Sequence, residues 1–438
     1  MTQPSETRAM VHLAAPLAIQ QMGNHLMGLV DQAMLGRYSD AALAGAGVGN
    51  NLYFGITCVG LGIVMGMDTV VPQALGAGRL DDARRAVGAG VRLAILIGLL
   101  TTLVVFGSPL LLRLADVDGE VLTEARAFVY MRALGAVPFL ITIALRSYLS
   151  AHGKTRPLVI AVILGNILNA GLDLVFIYVL GFGVIGAAAA TTLVQMMMAI
   201  VYWIGVRGID AEAKTPRPRS TGADMAAIAR YGGPVGGQLF AEVGIFGIAT
   251  VLAAHFGKLP AAAHSIALGL SSVTFSFAVG IASATSVRVG HAVGAGKIPL
   301  ARSRGLLGVV LGLVVMACFA VTFLVIPQVL ASAFTGDAAV VAATVPLLQI
   351  AALFQLSDGT QAIGAGALRG LGDTRSTLVA NLVGHYLVGL PLVIGLAFGA
   401  HLAAPGMWFG LSAGLTATAL ILVARFLAGT RSTIRSLP

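Results

Sequence analysis

Four acidic residues interrupt apolar stretches of this chain, where a charge is expensive to keep: Asp31, Asp173, Glu242 and Asp358. Asp31 closes the run Gly28-Leu-Val-Asp31. Asp173 ends Asn166-Ile-Leu-Asn169-Ala-Gly-Leu-Asp173, in which Asn169 and Asp173 are four apart and share a helix face. Thr191 and Thr192 open the next apolar run. Two carboxylates, an amide and a hydroxyl supply hard oxygen ligands. Such a set can hold a small cation, or it can hold a proton, because burial and a neighbouring like charge both disfavour a second ionised carboxylate. The plainer reading is a hydrogen-bonded patch tying three helices together, but two acids are costly glue, so function is favoured.

The second half carries a different pair. Glu242 sits a little over two turns past Gly233-Pro234, and Asp358 lies in Phe354-Gln-Leu-Ser-Asp358-Gly-Thr-Gln361. A charge role is favoured for Asp358 over the alternative, a cap beside a helix-breaking Gly359. Asp68 reads as a solvated residue at a helix mouth, and His25, His264 and His385 as packing histidines rather than proton carriers. Cys58 and Cys318 lie in apolar runs and support neither a disulfide framework nor a metal site. The chain has no G-x-x-x-x-G-K-[ST] phosphate loop, which excludes ATP as the fuel by that route. It shows no convergent His-Asp-Ser or metal-ligand set, which argues against an integral membrane enzyme.

The elements that position these residues follow from composition. Of 438 residues, 57% are hydrophobic and 10% charged, with a mean hydropathy of +0.92. Soluble proteins carry about 25% charged residues, so this chain lacks the stock for a water-facing surface. It reads as an all-α polytopic membrane protein. At roughly 20 apolar residues per crossing, twelve spans are predicted near 11–34, 44–67, 86–112, 125–150, 157–180, 184–206, 227–256, 262–287, 303–332, 340–366, 376–398 and 405–428. Continuous apolar runs exclude a barrel, whose strands alternate. The first run has no cleavage-like boundary and reads as a retained span rather than a signal peptide.

The net charge of +9 is scattered between the runs rather than gathered into a nucleic-acid patch. Arg79, Arg84, Arg85, Lys154, Arg156, Arg207, Lys214, Arg217, Arg219, Lys297, Arg302, Arg304, Arg369 and Arg375 follow even-numbered spans, and Arg431 and Arg435 lie in the tail. Loops after odd-numbered spans offer mainly Arg37, Arg113, Arg126 and Lys258, with the acids Asp116, Asp118, Glu120 and Glu124 on that side. The positive-inside rule then places both termini in the cytoplasm.

The two halves are copies. Pro16 and Pro234, Gln20 and Gln238, Gly76-Ala77-Gly78 and Gly294-Ala295-Gly296, and Arg84 and Arg302 are each 218 positions apart. Gly153-Lys-Thr-Arg156 matches Gly372-Asp-Thr-Arg375 one position later. Six spans per copy make the repeat parallel, about an axis along the membrane normal, and two such bundles suit alternating access. The domains expected are a first lobe, 1–206, a polar connector, 207–226, and a second lobe, 227–438. The acids do not follow the repeat: Glu242 stands opposite Asn24, and Asp31 opposite Ala249.

This pattern resembles the multidrug and toxic compound extrusion (MATE) transporters over nearly the whole chain. The shared segments include Ala15-Pro16-Leu17, Val30-Asp31-Gln-Ala-Met-Leu-Gly36, Asn166 to Asp173, Gly233-Pro234, Ala253-Ala254-His255, Val287-Arg288-Val289-Gly290 and Ala367-Leu368-Arg369-Gly370. A Glu in the seventh span with an Asp in the tenth implies the NorM-like bacterial branch. The resemblance implies a first-lobe Na⁺ or H⁺ site at Asp31, Asn169, Asp173 and Thr191, Thr191 being preferred to Thr192 on spacing. It implies a second-lobe coupling or substrate pair, Glu242 and Asp358. Phe354 stands where a Tyr is common, which puts direct ligation of a cation from that position in doubt but leaves an aromatic face for an organic one. Gln20, Asn24, Gln238 and Gln361 are polar candidates for the cavity. The expectation is a monomeric inner-membrane antiporter of cationic amphipathic drugs, with no cofactor beyond the coupling ion. A lipid-linked precursor flippase of the same superfamily is the alternative.

Overall fold

The computed structural model describes residues 6–110, 119–213 and 215–431. Arg113, Asp116, Asp118, Lys214 and Arg435 lie outside the described residues. Every described element is helical, and the twelve predicted spans each fall on a helix: Glu6–Tyr38, Asp40–Gly76, Leu80–Gly107, Gly119–Ala133 with Ala136–Ala151, Arg156–Val179, Gly183–Ala213, Gly222–His255, Lys258–Gly294, Ile298–Val325, Ala338–Leu371, Thr374–Gly399 and Ala403–Gly429. Ten of these are long and apolar enough to cross a bilayer by themselves, and the fourth does so as a pair bent by 49°. The first helix is diluted by Gln20, Gln21, Asn24, His25, Asp31 and Gln32; at 33 residues it is long enough to span.

Most helices run past the predicted ends, because helical hydrogen bonding does not stop where hydrocarbon does. The third stops at Gly107, short of the predicted 112, and the ninth departs further. The expected 303–332 breaks after Val325, and Pro327 starts a separate short helix, Pro327–Ser332, since proline cannot donate into a continuing helix. Outward faces are apolar: Leu96, Leu99, Leu100 and Leu103 line one side of the third span and are exposed, Leu103 by 70%. A face like that suits lipid and not water.

By packing, the chain forms two compact units, Ile19–Gly236 and Gly237–Pro438 together with Met1–Ala18. The division expected at the connector, 207–226, is therefore not the division in packing. Each boundary falls inside the first helix of a half, and the two boundaries are 218 positions apart, so the exchange obeys the repeat. Glycines explain it. A Cβ on Gly62 would lie 2.3 Å from Gly236 Cα, and one on Gly280 would lie 2.4 Å from Ala18 N. Gly62 and Gly280 are themselves repeat partners, as are Ala18 and Gly236. Only glycine lets backbones approach so closely, and this contact draws the start of each half's first helix onto the other half's second.

The connector is pinned within the Ile19–Gly236 unit. Arg84 donates to Thr215 Oγ1 (2.7 Å), Arg92 donates to the Ser220 carbonyl (2.9 Å), and Arg84 Nε is 3.3 Å from Asp210.

Candidate functional site

In the Ile19–Gly236 unit, two hydrogen bonds fasten the first span to the fifth. Asn166 Nδ2 donates to the Gly23 carbonyl (3.0 Å), and Tyr178 Oη to the Met34 carbonyl (2.6 Å). They bracket Asp31 on one helix and Asn169 and Asp173 on the other. Immediately after Asp173 the fifth span widens into π-type turns over Leu174–Val179, an irregularity frequent at functional positions. The sixth span adds Thr191, whose hydroxyl donates to Asp31 Oδ2 at 2.8 Å. Thr192 turns away and donates to the Ala188 carbonyl. Asp173, Thr191 and Asn169 are all electrostatic neighbours of Asp31.

Asn169 and Asp173 are fully buried. Asp31 Oδ1, both Asp173 carboxylate oxygens and both polar atoms of the Asn169 amide, Oδ1 and Nδ2, are buried with no well-formed hydrogen bond among the described residues, although Asn169 and Asp173 lie within hydrogen-bonding reach of Asp31. Buried acceptors normally find donors. Four such acceptors beside the equally unpaired Asn169 Nδ2 make a site that a small hard cation or a proton can complete. Among the described residues no three His, Cys, Asp or Glu side chains converge as a metal cluster would require.

The rule that singles out the acids applies equally to arginines inside apolar spans. Arg132 and Arg146 both fall inside the predicted span 125–150 and are nearly buried. The Arg132 guanidinium lies 4.5 Å above the Tyr53 ring, and its Nη1 is 3.5 Å from Gln195 Oε1; its charge reaches Asp31. Arg146 pairs with Asp68 at 3.7 Å. Asp68 is thus a buried ion-pair partner, 5% exposed, and not the solvated mouth residue expected. An arginine 78 positions further along the chain supplies the partner that sequence spacing does not show.

In the other unit, Gln361 Nε2 donates to Glu242 Oε2 at 3.2 Å. Gln238, Arg369 and Asn381 also act on Glu242, and Glu242 is the charged neighbour of Asp358. The two acids are therefore brought together. Arg369, expected in a loop, lies within the tenth helix and is buried. That helix runs unbroken through Gly359, so Asp358 is mid-helix and does not cap an end. Phe354 lies one turn before Asp358 on the same helix. It is 1% exposed, with its ring 5.2 Å from Trp408 and 6.0 Å from Phe246, which makes it core rather than an open aromatic surface. Gln20, Gln238 and Gln361 are buried, and Asn24 is exposed. His264 and His385 are buried among aromatic rings, while His25 is exposed.

A family model described as MatE matches residues 16–175 and 234–394, once in each half. The chain is 36% identical over 437 residues to the "Probable multidrug resistance protein NorM" of Deinococcus radiodurans, covering 98% of this chain and 96% of that one. It is 33% identical to a protein of the same name in Pseudomonas putida, covering 96% and 94%. The fold superposes on a crystal structure of the eukaryotic MATE transporter AtDTX14 with a TM-score of 0.90, at 21% identity and 98% coverage of both chains.

Proposed function

The chain belongs to the MATE family of multidrug efflux transporters, and on that premise we propose that it exports organic cations in exchange for Na⁺ or H⁺ by alternating access. The single observation that supports the reading is the buried cluster of Asp31, Asn169 and Asp173, in which four acceptor oxygens and the Asn169 amide nitrogen have no well-formed hydrogen bond among the described residues. Thr191 steers one Asp31 oxygen and leaves the other free for a coupling ion. The Glu242 and Asp358 pair supplies negative charge in the other unit, suited to an amphipathic cation or to a second coupling event. Loading a coupling ion on these acids weakens the hold on cationic substrate, since both draw on the same negative charge. Membership of this family makes the protein a transporter and not an enzyme.

In this reading the protein acts as a monomer in the bacterial inner membrane, with both termini and the connector cytoplasmic, as the distribution of Lys and Arg indicates. No nucleic acid takes part. The test is efflux of a cationic dye from proteoliposomes, with Na⁺ and pH gradients imposed separately. Wild type is expected to respond to one gradient, and Asp31→Asn and Asp173→Asn to neither, while still inserting at normal yield. Wild-type coupled rates in both variants would remove the ion-site assignment, and efflux indifferent to both gradients would remove antiport.

A further inference from the structure

The first helix begins in one compact unit and ends in the other, and charged residues fix its start. Arg304 reaches Glu6 in a bidentate arrangement, Nε to Oε2 and Nη2 to Oε1, both at 3.0 Å. Arg288 also donates to Glu6 Oε2, and Arg304 Nη1 donates to the Arg288 carbonyl at 3.2 Å. Arg288 and Arg304 are largely buried, with side chains 12% and 17% exposed. Glu6 lies outside the apolar run 11–34. Hydrogen bonding from Arg304, then the charge and hydrogen bond of Arg288, hold its carboxyl below the usual carboxylate range against the opposing effect of partial burial. Bidentate pairing of a carboxylate with guanidinium is the strong form of this contact.

The repeat has a weaker counterpart. Asp224 stands 218 positions after Glu6, at the start of the seventh helix, and Arg85 stands 219 before Arg304. Asp224 Oδ1 is 3.8 Å from Arg85 Nε, while Asp224 Oδ2 is occupied by the Thr221 amide and hydroxyl at 2.7 and 2.8 Å. One position thus carries a tight clasp and its copy a loose one.

We propose that Glu6, Arg288 and Arg304 form a conformational clasp that holds the start of the first helix on the second-half unit and must release before this end of the transporter opens. The proposal rests on the alternating-access reading. The first helix is continuous from Glu6 to Tyr38. If the units part at the end where both halves begin, residues 6–18 follow the rest of their own helix and leave Arg288 and Arg304. The clasp thereby favours the state closed at this end. It is distinct from the acids assigned to ions and substrate, and none of its residues lies among them.

The test places spin labels at Arg156→Cys and Arg375→Cys in a background lacking Cys58 and Cys318. Both positions are exposed and repeat-related, and the distribution of Lys and Arg assigns both to the same side of the membrane as the start of each half. Wild type should show a short and a long distance. Glu6→Gln should raise the ratio of long to short about fivefold, the scale of a partly exposed charged network. Arg304→Gln should do the same, and the double variant should add little, because both remove one contact. Two distances unchanged by Glu6→Gln would overturn the clasp and leave alternating access standing, as would additive effects of the two substitutions. A single distance in wild type and variants, with and without Na⁺, acid pH and a cationic dye, would overturn the transport cycle and the clasp with it.

Discussion

Asp31, Asp173, Glu242 and Asp358 are chemically alike, yet the structure gives the two pairs different company. Asp31 and Asp173 have an amide and a hydroxyl beside them and acceptor oxygens left over. Glu242 takes a donor from Gln361 and has Arg369, Asn381 and Gln238 nearby. On the proposed function the first pair holds the small coupling ion and the second faces the organic cation. Glu242→Gln and Asp358→Asn are therefore expected to weaken cationic dyes far more than neutral ones. A unit charge about 6 Å away is worth roughly 2 to 3 kcal/mol at an effective dielectric near 20, or about 30- to 150-fold in affinity. Equilibrium binding of a monovalent cationic dye in detergent measures this, and a change within threefold in both variants would remove the pair as counter-charge. Phe354→Ala belongs to another class. Buried against Trp408 and Phe246, it should lower stability by about 3 to 5 kcal/mol with little selectivity among dyes.

The helices hold their positions through small residues, and the close contact at Gly62 is one instance. A methyl there meets Gly236 backbone at 2.3 Å, and backbone cannot give way as a side chain can. Gly62→Ala should cost about 1 to 3 kcal/mol, read as a lower midpoint in a thermal size-exclusion assay, whereas Gly55→Ala, with open space around it, should be neutral. An unshifted midpoint for Gly62→Ala would show that the contact is not tight. The element scale also shows how far the sequence could be read. Twelve spans were legible because apolar runs and the charged loops between them report the bilayer directly. The Asn169 and Asp173 cluster was legible because a spacing of four places two side chains on one helix face. The helix ends, the break at Pro327 and the bend in the fourth span were not, because hydropathy says nothing of where helical hydrogen bonds stop. Arg146 as partner of Asp68, and the burial of Phe354, depend on contacts between helices distant in sequence, which no local pattern encodes.

At the scale of the whole molecule, Lys and Arg outnumber acids 27 to 18 and follow mainly the even-numbered spans along the sequence. The proposed orientation in the membrane rests on that asymmetry. Single cysteines at Lys154 and Arg375, in a background without Cys58 and Cys318, should resist an impermeant maleimide applied to intact cells. A cysteine at Lys258 should react. The reverse pattern would invert the proposed orientation. The exchange of first helices between the units has a consequence for how the protein is made. Residues 6–18 leave the ribosome first, but their partners Gly280, Arg288 and Arg304 emerge only after some 300 residues. At roughly 5 to 20 residues per second, that is a wait of about 15 to 60 s. During that interval Gly62 also lacks Gly236. A nascent first half is therefore an unfinished object on both counts, and a fragment ending at the connector stays so. Halves supplied as two separate chains can complete each other only by trading the starts of their first helices.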